Sequence, residues 1–282
     1  MNKFLPLLLT SLLSSALFAY SDADMDGVPD SIDKCPNTPL TDLVDTNGCT
    51  KAKVNLKTQK ETKGHADVII GANYAGSNFA SLNSSDTYSA SIQADYYYGN
   101  FSLQAYTSYY KTAAQDYDAS GLNDSFIGAA YNVHMGKSLS LRLGAGALLP
   151  TYETSLNNNN TDYTGSATLS YNLSKLNLFG GYAYTMINDD DVIDTTNNSS
   201  YIYQNTNAYS AGLGYYFTNK LYMSGAYNLS NSIYEGIEDI KTASLYGYYA
   251  INKNRFLIFT YAYGLSDSAS DHAVSLKVGY YF

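Results

Sequence analysis

From residue 66 to the C-terminus, apolar and polar side chains alternate with a period of two. Within 87–98, Tyr88, Ala90, Ile92, Ala94, Tyr96 and Tyr98 alternate with Ser89, Ser91, Gln93, Asp95 and Tyr97. Within 163–173, Tyr163, Gly165, Ala167, Leu169, Tyr171 and Leu173 alternate with Thr164, Ser166, Thr168, Ser170 and Asn172. Such a pattern puts successive side chains on opposite faces of an extended strand, one face for apolar and one for polar surroundings. It recurs over 66–76, 87–98, 101–110, 124–134, 139–149, 163–173, 176–186, 208–217, 221–230, 242–251, 255–264 and 272–282, which predicts twelve strands.

The connections sort by length. Gly99-Asn100, Gly136-Lys137, Ser174-Lys175, Thr218-Asn219 and Asn252-Lys253 read as tight turns. Between them lie long stretches rich in Asn, Asp, Ser and Thr at 77–86, 111–123, 150–162, 187–207, 231–241 and 265–271. Short turns at one end and long polar loops at the other predict an all-β fold, a transmembrane antiparallel up-and-down β-barrel over 66–282. Composition agrees. Only 15% of the 282 residues are charged, 31 are Tyr, 10 Phe and none Trp. No apolar run is long enough for a spanning helix, and the mean hydropathy is -0.24, whereas alternating strands escape a windowed average. Tyr near segment ends suits the two interfacial girdles of such a barrel. The net charge of -9 argues against nucleic acid as a partner.

Upstream, Lys3 followed by the charge-free Leu-rich stretch Phe4 to Phe18 and Ala19 reads as a secretory leader over 1–19. In an oxidising compartment Cys35 and Cys49 are expected to pair, with two free thiols as the alternative. A module over 20–50 and a lysine-rich polar linker over 51–65 separate the leader from the barrel. Asp22, Asp24, Asp26, Asp30 and Asp33 occupy positions 1, 3, 5, 9 and 12 of a loop, with Gly27 at 6 and the Val28 carbonyl at 7. A hard cation takes six to eight oxygens, and alternate residues of a tight loop supply them together, so the expected cofactor is Ca2+.

The run from Asp22 to Pro36, continued by Val44, Asp45, Asn47, Gly48 and Cys49, resembles a thrombospondin type 3 repeat of the kind found in OmpA/OprF-type porins. That resemblance implies calcium binding at the same aspartates. Here the single repeat precedes the barrel, and the resemblance does not extend to a C-terminal peptidoglycan-binding domain, so cell-wall anchoring is not carried over. Val274, Leu276, Val278, Tyr280 and Phe282 alternate to a terminal Phe. They look like the C-terminal signature of bacterial outer-membrane barrels, which implies recognition by the barrel-insertion machinery and a site in the outer-membrane lipid with the module in the periplasm.

The inward set includes Gln93, Gln104, Arg142, Ser166, Ser210 and Lys277, mostly small or hydroxylic, as a water-filled bore needs. The expected activity is passive: a monomeric porin for small hydrophilic solutes, with a non-conducting structural or adhesive barrel as the alternative. Among enzyme arrangements only Asp271-His272 lies near an outer rim, and neighbours on a strand face opposite ways, so no enzyme is expected. For the calcium loop, Asp26→Ala combined with Asp33→Ala removes two carboxylates from a shell without spare ligands and is expected to abolish Ca2+ binding in calorimetry. Unchanged binding would identify the segment as an acidic turn.

Overall fold

The computed structural model describes residues 33–35, 64–77, 84–114, 117–153, 159–194 and 199–282. The leader, Asp22, Asp24, Asp26, Val28, Asp30 and Cys49 lie outside the described residues. Of the calcium-loop residues only Asp33 is described, its Oδ1 accepting the Cys35 N–H at 2.8 Å.

Fifteen strands follow in chain order: β1 Gly64–Ser77, β2 Ser85–Tyr98, β3 Phe101–Ala114, β4 Tyr117–Leu122, β5 Ser125–Met135, β6 Leu139–Leu149, β7 Asp162–Leu173, β8 Leu176–Met186, β9 Val192–Asp194, β10 Ser199–Tyr201, β11 Thr206–Thr218, β12 Leu221–Ser230, β13 Ile240–Asn252, β14 Arg255–Gly264 and β15 His272–Tyr281. Twelve of them coincide with the twelve segments read from the sequence. The others are extras at the loop end: β4 prolongs the far end of β3 as a hairpin, and β9 pairs with β10. The barrel begins two residues earlier than its sequence pattern, so His65 belongs to β1 and faces the lumen instead of lying in the linker.

Each barrel strand pairs antiparallel with the next, and β1 pairs with both β2 and β15, so the ring closes. The seam is fastened to the last residue, where the Phe282 N–H donates to the Ala66 carbonyl at 2.8 Å. Following the register once around returns to β1 about fourteen residues further along. With twelve strands that stagger gives a tilt of roughly 40° and a backbone radius of about 12 Å. The tight turns are ordinary hairpin geometry, helped by Gly99 and Gly136 at φ 57° and 80°.

Parity agrees with the sequence pattern on the strands whose inner face it assigned. Ile70, Ile92, Leu143, Leu169, Leu213, Leu276 and Val278 are exposed on the outside, as lipid-facing residues are. Inside, the tyrosines depart from a pure girdle arrangement. Tyr216, Tyr222, Tyr248, Phe256 and Tyr281 form a buried cluster with Ile69, against which Tyr246, Ala250 and Ile258 pack. Consecutive rings put one on each face: Tyr215, Tyr249 and Tyr280 point out, while Tyr216, Tyr248 and Tyr281 point in. The inward rings lie flat against the wall because glycine leaves room beneath them. A Cβ at Gly279 would meet the Phe256 ring, and one at Gly146 the Phe126 ring.

Phe256 stacks on Tyr281 at 4.5 Å and on Tyr248 at 5.5 Å and is 2% exposed. Phe256→Ala therefore opens a cavity inside the barrel. It is expected to lower stability by about 3–5 kcal/mol, read from urea unfolding in lipid vesicles, and a loss under ~1 kcal/mol would show the cluster is not packed.

Candidate functional site

The lumen divides along its axis. At the turn end lies an aromatic and amide floor. Tyr216 and Tyr222 meet at 4.6 Å, Tyr222 donates to Asn177 Oδ1 at 3.1 Å, and Asn177 Nδ2 donates to Asn172 Oδ1 at 2.6 Å. The Tyr248 and Tyr281 hydroxyls share a hydrogen bond of 2.7 Å, and His65 stacks on Tyr97 at 4.7 Å. The floor thus runs as a crescent along the wall from β7 to β2, where Asn172, Asn177, Tyr222, Tyr248 and Tyr281 hold polar atoms in mutual hydrogen bonds, while His65 Nε2 is buried without a partner.

Above the floor is a charged belt. Asp67 on β1 is the register partner of Asp95 on β2, which faces Gln104 on β3; Gln93 lies one pleat up β2, opposite Tyr106. Lys277 stands on β15 beside Gly71, and Arg142 on β6 beside Asn132. Gln93 Nε2 donates to Asp95 Oδ2 at 2.7 Å, and Arg142 Nη2 donates to Ser102 Oγ at 3.0 Å. Four of the six residues expected to line a bore, Gln93, Gln104, Arg142 and Lys277, are therefore gathered in one belt. Ser166 and Ser210 point inward from β7 and β11, on either side of β8, where the wall is small: Ser166 pairs with Ala183, and Ser210 with Gly181.

Toward the loop end the wall becomes hydroxylic and amidic. Thr87 and Thr112 share a 2.8 Å hydrogen bond, Asn73 Nδ2 donates to Ser89 Oγ at 3.1 Å, and Asn228 Nδ2 to Ser244 Oγ at 3.0 Å. At the mouth, loops from separate hairpins tie together through carboxylates. Asp124 Oδ1 accepts from the Tyr152 N–H at 3.0 Å and from Asn159 Nδ2 at 2.8 Å. Asp189 Oδ1 accepts from the Asn160 N–H at 2.7 Å, and Asp162 Oδ1 from the Asn188 N–H at 2.7 Å. Tyr234 is buried among the loops, its ring 4.9 Å from that of Tyr203. This acidic rim was not among the candidate residues read from the sequence. The signal was the Asp189-Asp190-Asp191 run, whose meeting with Asp124 and Asp162 depends on loop geometry that no spacing reveals.

Burial lifts the Asp124 and Asp189 carboxyls above the usual carboxylate range, and their mutual repulsion adds to it at Asp189, against the hydrogen bonds they accept. His272 lies on the outer face with Nδ1 2.9 Å from the Tyr261 hydroxyl, which orients its ring. No group of three or more His, Cys, Asp or Glu suited to a metal ion occurs among the described residues.

No family model matches the chain. Over 43 residues, 15% of its length, it is 46% identical to Outer membrane porin F of Pseudomonas aeruginosa, of which the match covers 12%. Among solved structures, an outer membrane channel from Pseudomonas putida F1 superposes with a TM-score of 0.61 at 10% identity, over 80% of this chain and 100% of that one. The translocator domain of the autotransporter NalP from Neisseria meningitidis gives 0.51 at 14% identity over 77% and 88%, and the NanC porin 0.50 at 15% over 77% and 98%. At these identities the likeness defines the fold: a closed twelve-stranded barrel of the outer-membrane type.

A carboxyl whose folded-state pKa is raised binds protons more readily folded than unfolded, so the loop arrangement around Asp189 is strongest in acid and weakens as pH rises through that raised value. Asp189→Asn keeps the Oδ1 acceptor and removes the charge. It is expected to increase hydrogen-exchange protection of the Asn160 amide at pH 7, an advantage that disappears at about pH 4. Equal protection at both pH values would mean the rim carries no strain.

Proposed function

We propose that this protein is a monomeric outer-membrane diffusion channel for small hydrophilic solutes, with its tight turns, N-terminal module and Phe282 on the periplasmic side. The supporting observation is parity: around all twelve strands the outer wall is apolar and suited to lipid, while the inner wall above the floor is lined by Ser, Thr, Asn, Gln and a few charges of both signs. A polar inner wall in a ring about 12 Å in backbone radius fits a narrow aqueous passage. Val274, Leu276, Val278, Tyr280 and Phe282 form the outward face of the closing strand, where insertion machinery would meet it.

Calcium bound at Asp22, Asp24, Asp26, Val28, Asp30 and Asp33, within a module closed by Cys35 and Cys49, belongs to the same proposal. Its support is the loop spacing and the OmpA/OprF-type resemblance. The second reading, a structural or adhesive barrel that does not conduct, draws on the floor, whose hydrogen-bonded tyrosines and asparagines fill much of the periplasmic end.

Planar-bilayer recording on purified, folded protein separates the two. Discrete conductance steps are expected, reduced when Ser166 and Ser210 are both replaced by Trp and unchanged by Leu169→Trp on the lipid face. Protein that shows heat-modifiable migration yet no conductance would overturn the channel reading.

A further inference from the structure

Asp67 and Asp95 hold a place in the belt that a merely water-filled passage does not explain. They are direct cross-strand partners, both inward, and only 3% and 5% exposed. Asp95 Oδ2 takes the Gln93 amide, but Oδ1 of each aspartate is buried with no hydrogen-bond partner. Like charges opposite one another on neighbouring strands are unfavourable, and an open buried carboxylate oxygen adds to the cost.

Gln104 also contacts the Asp95 carboxylate, and Arg142 and Lys277 attract it across space, yet neither basic residue forms an ion pair with it and Oδ1 of both aspartates stays unpartnered. Arg142 is held on Ser102, and the Lys277 ammonium stands over the Tyr106 ring, 5.9 Å from its centroid. Lys241 pairs with Glu238 at 3.4 Å, out at the loop end and away from the belt. Tyr97 follows Asp95 one pleat toward the turn end and interacts with both aspartates. Two buried, unpartnered carboxylate oxygens beside the Tyr97 ring make a site that attracts a positive charge by Coulomb forces and offers its alkyl part an aromatic neighbour.

We propose that Asp67 and Asp95 form a recognition station for protonated organic amines entering the lumen, with Tyr97 as its aromatic wall. The proposal rests on the channel reading and names the solute class that channel favours. Inorganic monovalent cations carry the same charge without the apolar part, so they are the comparison that separates charge attraction from amine recognition. Lys277 opposes the station electrostatically, and Lys277→Met strengthens it.

The test is reversal-potential measurement on the full chain in planar bilayers, with a gradient of KCl and then of ethylammonium chloride. Wild-type protein is expected to prefer cations over chloride severalfold and to pass ethylammonium at least as well as K⁺. Asp67→Asn with Asp95→Asn abolishes both preferences, and Lys277→Met increases them. Should the double variant fail to fold, as judged by heat-modifiable migration, the wild-type ratios and Lys277→Met decide. Conductance without cation preference, or a preference that survives the double substitution, overturns the station while leaving the channel. Preference for K⁺ with ethylammonium excluded overturns amine recognition, and absence of any conductance removes the channel reading together with the station.

Discussion

The constraint on which everything else depends is that a sheet in hydrocarbon has no water to satisfy its edges. Every barrel N–H and C=O must find a partner within the sheet, so the first and last strands have to meet. Here they meet at β1 and β15, and the terminal Phe282 takes part through its own backbone. Once twelve strands close with a stagger of about fourteen residues, the radius is set near 12 Å, and the interior has room for only a limited volume of side chain. Chemistry inside is then a matter of how that volume is shared.

It is shared unevenly along the axis. The clustered rings of Tyr216, Tyr222, Tyr248, Phe256 and Tyr281 collect at the turn end, whereas hydroxyl and amide side chains, with Tyr110 and Phe126 among them, occupy the loop end. Between them stands a belt in which Asp67, Asp95, Arg142 and Lys277 occupy one level without forming an ion pair. The loops continue the theme, with Asp124, Asp162 and Asp189 holding neighbouring connections together at the cost of mutual repulsion. From the loop end inward there follow an acidic rim, a hydroxylic stretch, the charged belt and finally the aromatic floor.

The strands were legible in the sequence because lipid outside and a polar lumen inside impose a strict period of two, and because two-residue turns alternate with long loops. The inward residues were legible for the same reason: Gln93, Gln104, Arg142, Ser166, Ser210 and Lys277 all fall on the inner parity. The floor was hidden by composition, since a tyrosine suits both an interfacial girdle and a lumen. Yet doublets such as Tyr215-Tyr216, Tyr248-Tyr249 and Tyr280-Tyr281 oblige one ring of each pair to point inward, so parity alone was enough to find it. The pairing of Asp67 with Asp95 depends on register between strands, which a single sequence leaves open, and the rim depends on loops that have no period at all.

If the lumen conducts, the aromatic cluster at the turn end should make that mouth the narrower one. Graded neutral polymers added to one side of a single channel at a time measure it directly, because a polymer that enters the bore lowers its conductance. Larger polymers are expected to enter from the loop side than from the turn side, and Tyr248→Ala with Phe256→Ala is expected to remove the difference. An identical size cut-off from both sides of the unmodified protein would contradict the account.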